Sequence, residues 1–312
     1  MAVSSERIKN HAAAIGFDKV GIVRADVLFA ERGRLNQWLE RGFHAEMGWM
    51  ARDPEKRTDP CLIFPEARSV VVTALNYYSP QPHPDDTSRG KISRYAWGDD
   101  YHDVMKEKLY ELFEQIKIDE PGCAGKVCVD TAPAMDKVWA VKAGIGWMGK
   151  HSNVITKDFG SWFFIGEIFL DIELEYDVPE LEEHCGTCRA CLDACPTKAI
   201  VEPYVVDSAK CISYGTIELR AEELPAAIGE NLNGWLYGCD ICQDVCPWNR
   251  FEKPSTEERF EPRAGETSLS LESLLDFTPE QYAERFRRSA IKRAKLPGLK
   301  RNALALKRTP KQ

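Results

Sequence analysis

No apolar run in this 312-residue chain approaches the roughly 18 residues of a membrane span. The longest, residues 162–170, is interrupted by Gly166 and Glu167, so no membrane is expected. The start, Met1-Ala-Val-Ser-Ser-Glu-Arg-Ile-Lys-Asn-His11, has no apolar h-region, and no secretory leader is expected. Without an oxidising destination a disulfide framework loses its rationale. Zinc fits poorly too, because structural zinc favours two separated cysteine pairs. No internal repeat occurs outside the cysteine motifs. What remains is 44% hydrophobic and 29% charged, the profile of a soluble globular protein large enough for more than one domain.

Cysteine placement is the strongest positive signal. Cys185-x2-Cys188-x2-Cys191-x3-Cys195-Pro196 is followed by Cys211, then by Cys239-x2-Cys242-x3-Cys246-Pro247. The first run has bacterial ferredoxin spacing, in which three thiolates hold one cubane and the fourth reaches another. The second run lacks its middle cysteine, and Cys211 replaces it. This pattern assigns Cys185, Cys188, Cys191 and Cys246 to one [4Fe–4S] cluster. Cys195, Cys211, Cys239 and Cys242 hold the other. Cys61, Cys123 and Cys128 lack ligand spacing and read as small buried hydrophobes. Such usage points to a reducing cytoplasm.

Charge is unevenly spread. The net charge is −8, yet residues 285–311 carry eleven Lys or Arg, ending at Lys311, and no acidic residue. That segment suggests an anionic partner. Its interspersed Phe286, Ile291, Leu296, Leu299, Leu304 and Leu306 indicate packed helices, with Pro297-Gly298 as the break between two of them.

Along the chain, helices are expected at 5–15, 32–40 and 103–118. Strands are expected at 19–23, 69–76, 126–129, 162–169 and 171–175, with an aromatic, Met-rich loop at 43–50. This alternation makes the fold α+β and multidomain: an α/β domain at 1–177, a ferredoxin-like domain at 178–265 and a helical element at 266–312. Gly144-x-Gly146-x-x-Gly149 follows a helix instead of a strand, so it is a poor dinucleotide fingerprint. Its glycines suit close approach of backbone to a large planar ligand. Asp130 precedes a helix expected from Pro133 to about Ala143. It can cap that helix, or serve as a general acid if burial raises its pKa. Asp136 lies within the helix and should face elsewhere. His102 and His151 are further ligand or acid candidates.

Arg94-Tyr-Ala-Trp-Gly-Asp-Asp-Tyr-His102, Asp130-Thr-Ala-Pro133, Ala143-Gly-Ile-Gly-Trp-Met-Gly-Lys-His151, the cysteine motifs and the basic residues 289–303 together resemble the epoxyqueuosine reductase family. The resemblance covers nearly the whole chain. It implies a cytoplasmic, cobalamin-dependent oxidoreductase of queuosine biosynthesis, acting on tRNA that carries epoxyqueuosine at the wobble position. Electrons from an external donor would pass through both clusters to the cobalt. Asp130 would be the proton donor. Arg57, Ala96, Asp130, Lys150, Asn153, Val154, Ile165, Ser213 and Asp240 would contact cobalamin. No D-x-H-x-x-G segment occurs, so no protein histidine is expected on cobalt. The basic end resembles a short HEAT-like element, with Lys292, Arg293, Lys300 and Arg301 on the tRNA, and a monomer is expected. A reductive-dehalogenase-like corrinoid enzyme and a non-catalytic ferredoxin-like subunit are the competing readings. Reconstituted protein should hold about eight irons if both cubanes form; four by iron assay and EPR would overturn the two-cluster assignment.

Overall fold

The computed structural model describes residues 3–179 and 182–308; Lys311 of the basic run lies outside them. Helix α1 (Ser5–Ile15) starts where the Ser4 hydroxyl accepts the Arg7 N–H and ends at Gly16, φ 99°. Strand β1 (Lys19–Arg24) leads to α2 (Phe29–Glu40). Three short helical turns follow where only a loop was expected: α3 (Gly48–Ala51), α4 (Pro54–Thr58) and α5 (Pro60–Ile63). The β-branched run of β2 (Ser69–Asn76) is buried throughout. Then come β3 (Arg89–Ile92), the long α6 (Tyr101–Asp119), β4 (Gly125–Cys128), α7 (Asp136–Lys142), the hairpin β5 (Trp147–Met148) and β6 (Val154–Ile155), and β7 (Phe163–Leu170).

The main sheet has the order β1-β2-β7-β4, antiparallel throughout. Alternation along its strands sends one set of side chains under α1 and α6, where Ile22, Val71, Leu75 and Ile168 meet Ile8, Leu109 and Leu112. The other set packs with Trp139 and Ala140 of α7. Residues 171–175 are not strand: β4 begins at Gly125 opposite Leu170, so the ladder ends there.

The cysteine region contributes α8 (Ala190–Ala194), β8 (Ile200–Glu202), β9 (Val205–Val206), α9 (Ile212–Ile217), α10 (Ala226–Gly229), β10 (Trp235–Tyr237) and α11 (Ile241–Asp244). The C-terminal segment supplies β11 (Ser268–Ser270), α12 (Leu271–Asp276), α13 (Pro279–Arg285) and α14 (Lys295–Arg308). A second sheet, β10-β3-β11, takes one strand from each of the three segments marked out by the sequence. Its core continues through Trp97, Leu236, Tyr237, Phe286 and Leu299.

Two expectations for the C-terminal segment change. Pro297-Gly298 does not separate two helices; it lies in the first turn of α14, where a missing N–H costs nothing, and the break falls at Lys295, φ 59°. Arg301 is not on the surface. It is 8% exposed, and its guanidinium donates to the carbonyls of Gly215, Leu219 and Ala221 at 2.6–2.9 Å. With Asn302, which donates to the Thr216 and Leu236 carbonyls, it clamps α14 onto α9 and β10. Removing a buried donor strands its acceptors, so Arg301→Met should lower the unfolding free energy by about 3 kcal/mol in denaturant titration. A loss under about 1 kcal/mol would be surface-like and would refute the clamp.

Candidate active site

The acid centre is built at the start of α6. Asp100 caps that helix, accepting the His102 backbone N–H at 3.1 Å. The same carboxylate oxygen takes the ring Nδ1–H of His102 at 2.7 Å. The other ring nitrogen, Nε2, lies 3.1 Å from Oδ2 of Asp130, which also accepts the Tyr101 hydroxyl at 2.6 Å. Tyr101 is held by stacking on Phe164 and His102, with centroids 4.3 and 4.0 Å apart. Asp130, His102 and Asp100 thus form one continuous chain of hydrogen bonds.

Asp130 does not cap α7. The residue before that helix is Met135, and residues 130–135 form a turn in which Asp130 takes φ +37°. That left-handed conformation holds the carboxylate out of the helix and against α6. Its side chain is 57% exposed, yet desolvation is the strongest single influence on it, as expected on the wall of a deep cleft. The expected upward pKa shift is absent. Burial pushes upward, but the hydrogen bonds from His102 and Tyr101 outweigh it and hold Asp130 below the usual carboxylate range. For His102 burial favours the neutral ring, while Asp100 and Asp130 override it and raise the pKa to about 9. At neutral pH the mobile proton of this centre therefore sits on His102.

The cleft extends from Asp130 towards the cysteines. Lys137 donates to the Ser152 carbonyl at 2.9 Å and to Oδ1 of Asn153 at 2.7 Å. Desolvation lowers its pKa most, and the charges of Asp130, Cys242, Asp136 and Cys211 pull it back up. One ammonium thus faces the acid loop and two cysteines of the second cluster set. Backbone N–H groups of Tyr214 and Ser213 point at the Cys211 sulfur. Arg57 approaches from α4, lying over the Trp49 ring at 5.3 Å and feeling the charge of Asp136, with its buried Nε lacking a partner. Ile165 packs beside these groups on the α7 face of the sheet.

Four further expected cofactor contacts have the following surroundings. Ala96 is buried in the core of the second sheet. Val154 is buried in the hairpin core. Lys150 donates to the Gly186 and Cys188 carbonyls and so pins the first cysteine loop. The Asp240 carboxylate is 2% exposed and committed to the Ser93 hydroxyl and the Arg94 N–H. Two of the glycines of 144–149 serve the closure of β5 on β6: a Cβ on Gly146 would lie 2.0 Å from the Ile155 carbonyl oxygen, and one on Gly149 2.6 Å from the Ile155 side chain. His151 is buried, and desolvation followed by Lys137 depresses its pKa to about 4. Cys123 and Cys128 are buried as expected, but Cys61 is exposed because α5 presents it outward.

Charge interactions among the eight remaining cysteines run mostly within the two expected sets, with Cys191 of the first also bearing on Cys242 of the second. The charges of Cys246 and Cys185 bear on Cys191, and those of Cys185 and Cys188 on Cys246. Cys195 bears on Cys211, while Cys242 and Cys211 bear on Cys239. Burial raises the Cys191 thiol to about 11, and its neighbours add to the shift. The first set lines a cavity of about 200 Å³, beside which the Lys150 backbone N–H addresses the Cys185 sulfur.

Fold and cysteine geometry define an iron–sulfur redox protein whose cluster-bearing half opens onto an acid–base cleft. The family model described as 4Fe-4S double cluster binding domain matches residues 184–249, which contain all eight cysteines. That described as epoxyqueuosine reductase QueG, DUF1730, matches residues 57–131. An epoxyqueuosine reductase of Cellulophaga algicola is 47% identical over 97% of this chain and 98% of its own length. One from Synechocystis is 50% identical over 87% of this chain and 93% of its own length. A crystal structure of an epoxyqueuosine reductase with an epoxyqueuosine-modified tRNA stem loop superposes with a TM-score of 0.90 at 34% identity, covering 96% of this chain and 80% of that one. The chain belongs to the epoxyqueuosine reductase family. Among its described residues no helix is long and apolar enough to cross a membrane.

Sequence reasoning did not single out Asp100, Tyr101 or Lys137. The first two were visible inside the Arg94–His102 motif. Lys137 gave no signal, because a lysine on a helix ordinarily faces solvent. His102 has a raised pKa, so its pairing stabilises the fold fully below the ordinary value of 6.5 and is lost as pH rises through about 9. Stability measured between those limits should fall in the parent and stay flatter in His102→Gln; equal slopes would refute the Asp100–His102–Asp130 chain.

Proposed function

We propose that this chain reduces the epoxide of epoxyqueuosine in tRNA, giving queuosine and water. One observation carries the reading: the Lys137 ammonium feels the charge of Asp130 as well as those of Cys242 and Cys211, so the acid centre and the second cysteine set lie near one side chain. The family and the stem-loop complex of a relative support it. Cys185, Cys188, Cys191 and Cys246 hold one cluster, and Cys195, Cys211, Cys239 and Cys242 the other. An external one-electron donor feeds them.

Cobalamin would sit between Asp130 and the second cysteine set. Support comes from the partnerless buried Nε of Arg57 and from the exposure of Asp130 and Lys137 within a desolvated cleft. Arg57, Asn153, Ile165 and Ser213 would hold it. When bound, it supplies a strongly reducing metal that accepts electrons singly. The proton held on His102 Nε2 passes through the Asp130 carboxylate to the oxygen as the C–O bond breaks. Tyr101 keeps the Asp130 carboxylate aimed into the cleft.

The basic C-terminal element borders the same opening. Arg293 pairs with Glu218 at 2.7–2.8 Å, and the charge of Asp130 also reaches it. Exposed Lys292 and half-buried Lys300 flank it. These cations position phosphates without reading sequence, and a splayed anticodon loop can then place its modified base in the cleft. The chain works in this reading as a cytoplasmic monomer. Anaerobic turnover on tRNA containing epoxyqueuosine, with and without cobalamin, tests it. Asp130→Asn should keep clusters and cobalamin but lose at least about 100-fold in rate. An unchanged rate would remove Asp130 from the chemistry, and turnover without cobalamin would remove the corrinoid.

A further inference from the structure

The turn that follows α13 is built as a solvated basic tail would not be. Residues 287–293 read Arg-Arg-Ser-Ala-Ile-Lys-Arg, four cations and no acid. Ser289, Ala290 and Ile291 in its middle are buried, whereas Arg287, Arg288, Lys292 and Arg293 on either side are exposed. Two cationic pairs thus flank one buried anchor.

Hydrogen bonds tie that anchor to the acid centre. The Arg288 carbonyl accepts the backbone N–H of Asp100, whose carboxylate orients His102, at 2.9 Å. The Ala290 carbonyl accepts the Tyr237 hydroxyl at 2.7 Å. Tyr237 is bonded in turn to the Tyr95 hydroxyl at 3.0 Å, and the Tyr95 ring lies 6.0 Å from that of Tyr101. Arg263 spans the junction, donating to the Arg287 carbonyl at 2.6 Å, to the Arg288 carbonyl, and to Asp99 at 2.6 Å. Between these bonds Arg288 is held at φ 53°, a left-handed conformation uncommon outside glycine. At the other end Arg220 donates to the Arg293 carbonyl at 2.8 Å. Glu218, at the end of the helix that Cys211 opens, takes the Arg293 guanidinium in a two-point pair at 2.7 and 2.8 Å. Such a pair fixes the direction of a guanidinium as well as its place. The Arg293 side chain nevertheless stays 53% exposed. Arg288 is 60% exposed beside Asp103, at 3.5 Å, a solvated contact that yields readily to a stronger anion.

We propose that residues 287–293 form a phosphate-binding turn that sets the register of the RNA against the acid centre. This rests on the epoxide-reducing function. Arg288 and Arg293 take backbone phosphates of nucleotides beside the modified one. Arg263 and Glu218 are positioning residues, which hold the two cations without touching RNA. A loose basic tail would supply affinity alone. This turn supplies placement, because its carbonyls are bonded to the residues that aim the proton.

Fluorescence anisotropy with an unmodified anticodon stem-loop RNA reads the turn without turnover. Arg288→Gln should weaken binding about tenfold at low salt and flatten the salt slope by about 0.7, the value of one phosphate contact on a single strand. A methylphosphonate beside the wobble nucleotide removes the same charge from the RNA side. At one of the two flanking linkages it should weaken the parent equally and Arg288→Gln no further. An unaltered slope, or losses that add at both linkages, would overturn the contact. Glu218→Gln separates placement from charge. Removing an acid beside RNA keeps or tightens binding, yet a loosened Arg293 should slow single turnover of the epoxyqueuosine stem loop about tenfold. Arg293→Lys, which keeps the charge and loses the two-point pair, should slow it likewise. Full rate in both variants would overturn the register role and leave a mere affinity element. An unaltered salt slope sinks the turn alone, whereas a parent that binds the RNA without turnover sinks the function and the register with it.

Discussion

Everything in the cleft depends on one buried carboxylate. Asp240 lies between two cysteines of the second set, and its two oxygens take the Ser93 hydroxyl and the Arg94 N–H. Arg94 in turn pairs with Asp244 at 2.9 Å and lies over the rings of Tyr78, Trp97 and Trp162. The loop that bears the cysteines is thereby fixed to the segment that becomes α6 a few residues later. That helix starts with Asp100, Tyr101 and His102. Burial raises Asp240 to about 6, so the link is made of a group near the edge of ionisation, held charged by the hydrogen bonds of its neighbours. A polar anchor in such a place fixes geometry that apolar packing alone would leave loose.

Two kinds of carboxylate follow from the same sheet. Asp130, at the end of β4, points into the open cleft and is matched by donors. Glu167, its near neighbour across the β4–β7 ladder, points beneath α7 and has none. The difference is one of strand alternation and of the left-handed turn at Asp130. It separates an anion that receives protons from a neutral acid that holds one. Lys137 lies between the proton side and the cysteine side, and its fixed charge favours electrons arriving at the clusters as well as a carboxylate left behind after proton transfer.

The sequence made the double-cluster region legible because cluster ligation imposes short spacings on a local stretch. It made β2 legible because an unbroken β-branched run has few alternatives. Asp130 was found by its motif, but the cap reading failed because a single left-handed residue cannot be seen in composition. Arg301 was misread for a related reason: an arginine in a basic run looks solvated unless its carbonyl partners, some 80 residues earlier, are known. Glu167 was noted only as an interruption in an apolar run. Its place under α7 depends on pairing with strands far away in sequence.

The second sheet has a temporal meaning. β3 at residues 89–92 finds one neighbour only when residues 235–237 exist, and the other only when residues 268–270 do. During synthesis, therefore, the acid loop is complete long before either partner strand, while the second cysteine run follows β10 directly. Such distant pairing is slow to form. The last strand to be made, β11, completes the sheet that ties the cysteine region to the segment leading into the acid loop.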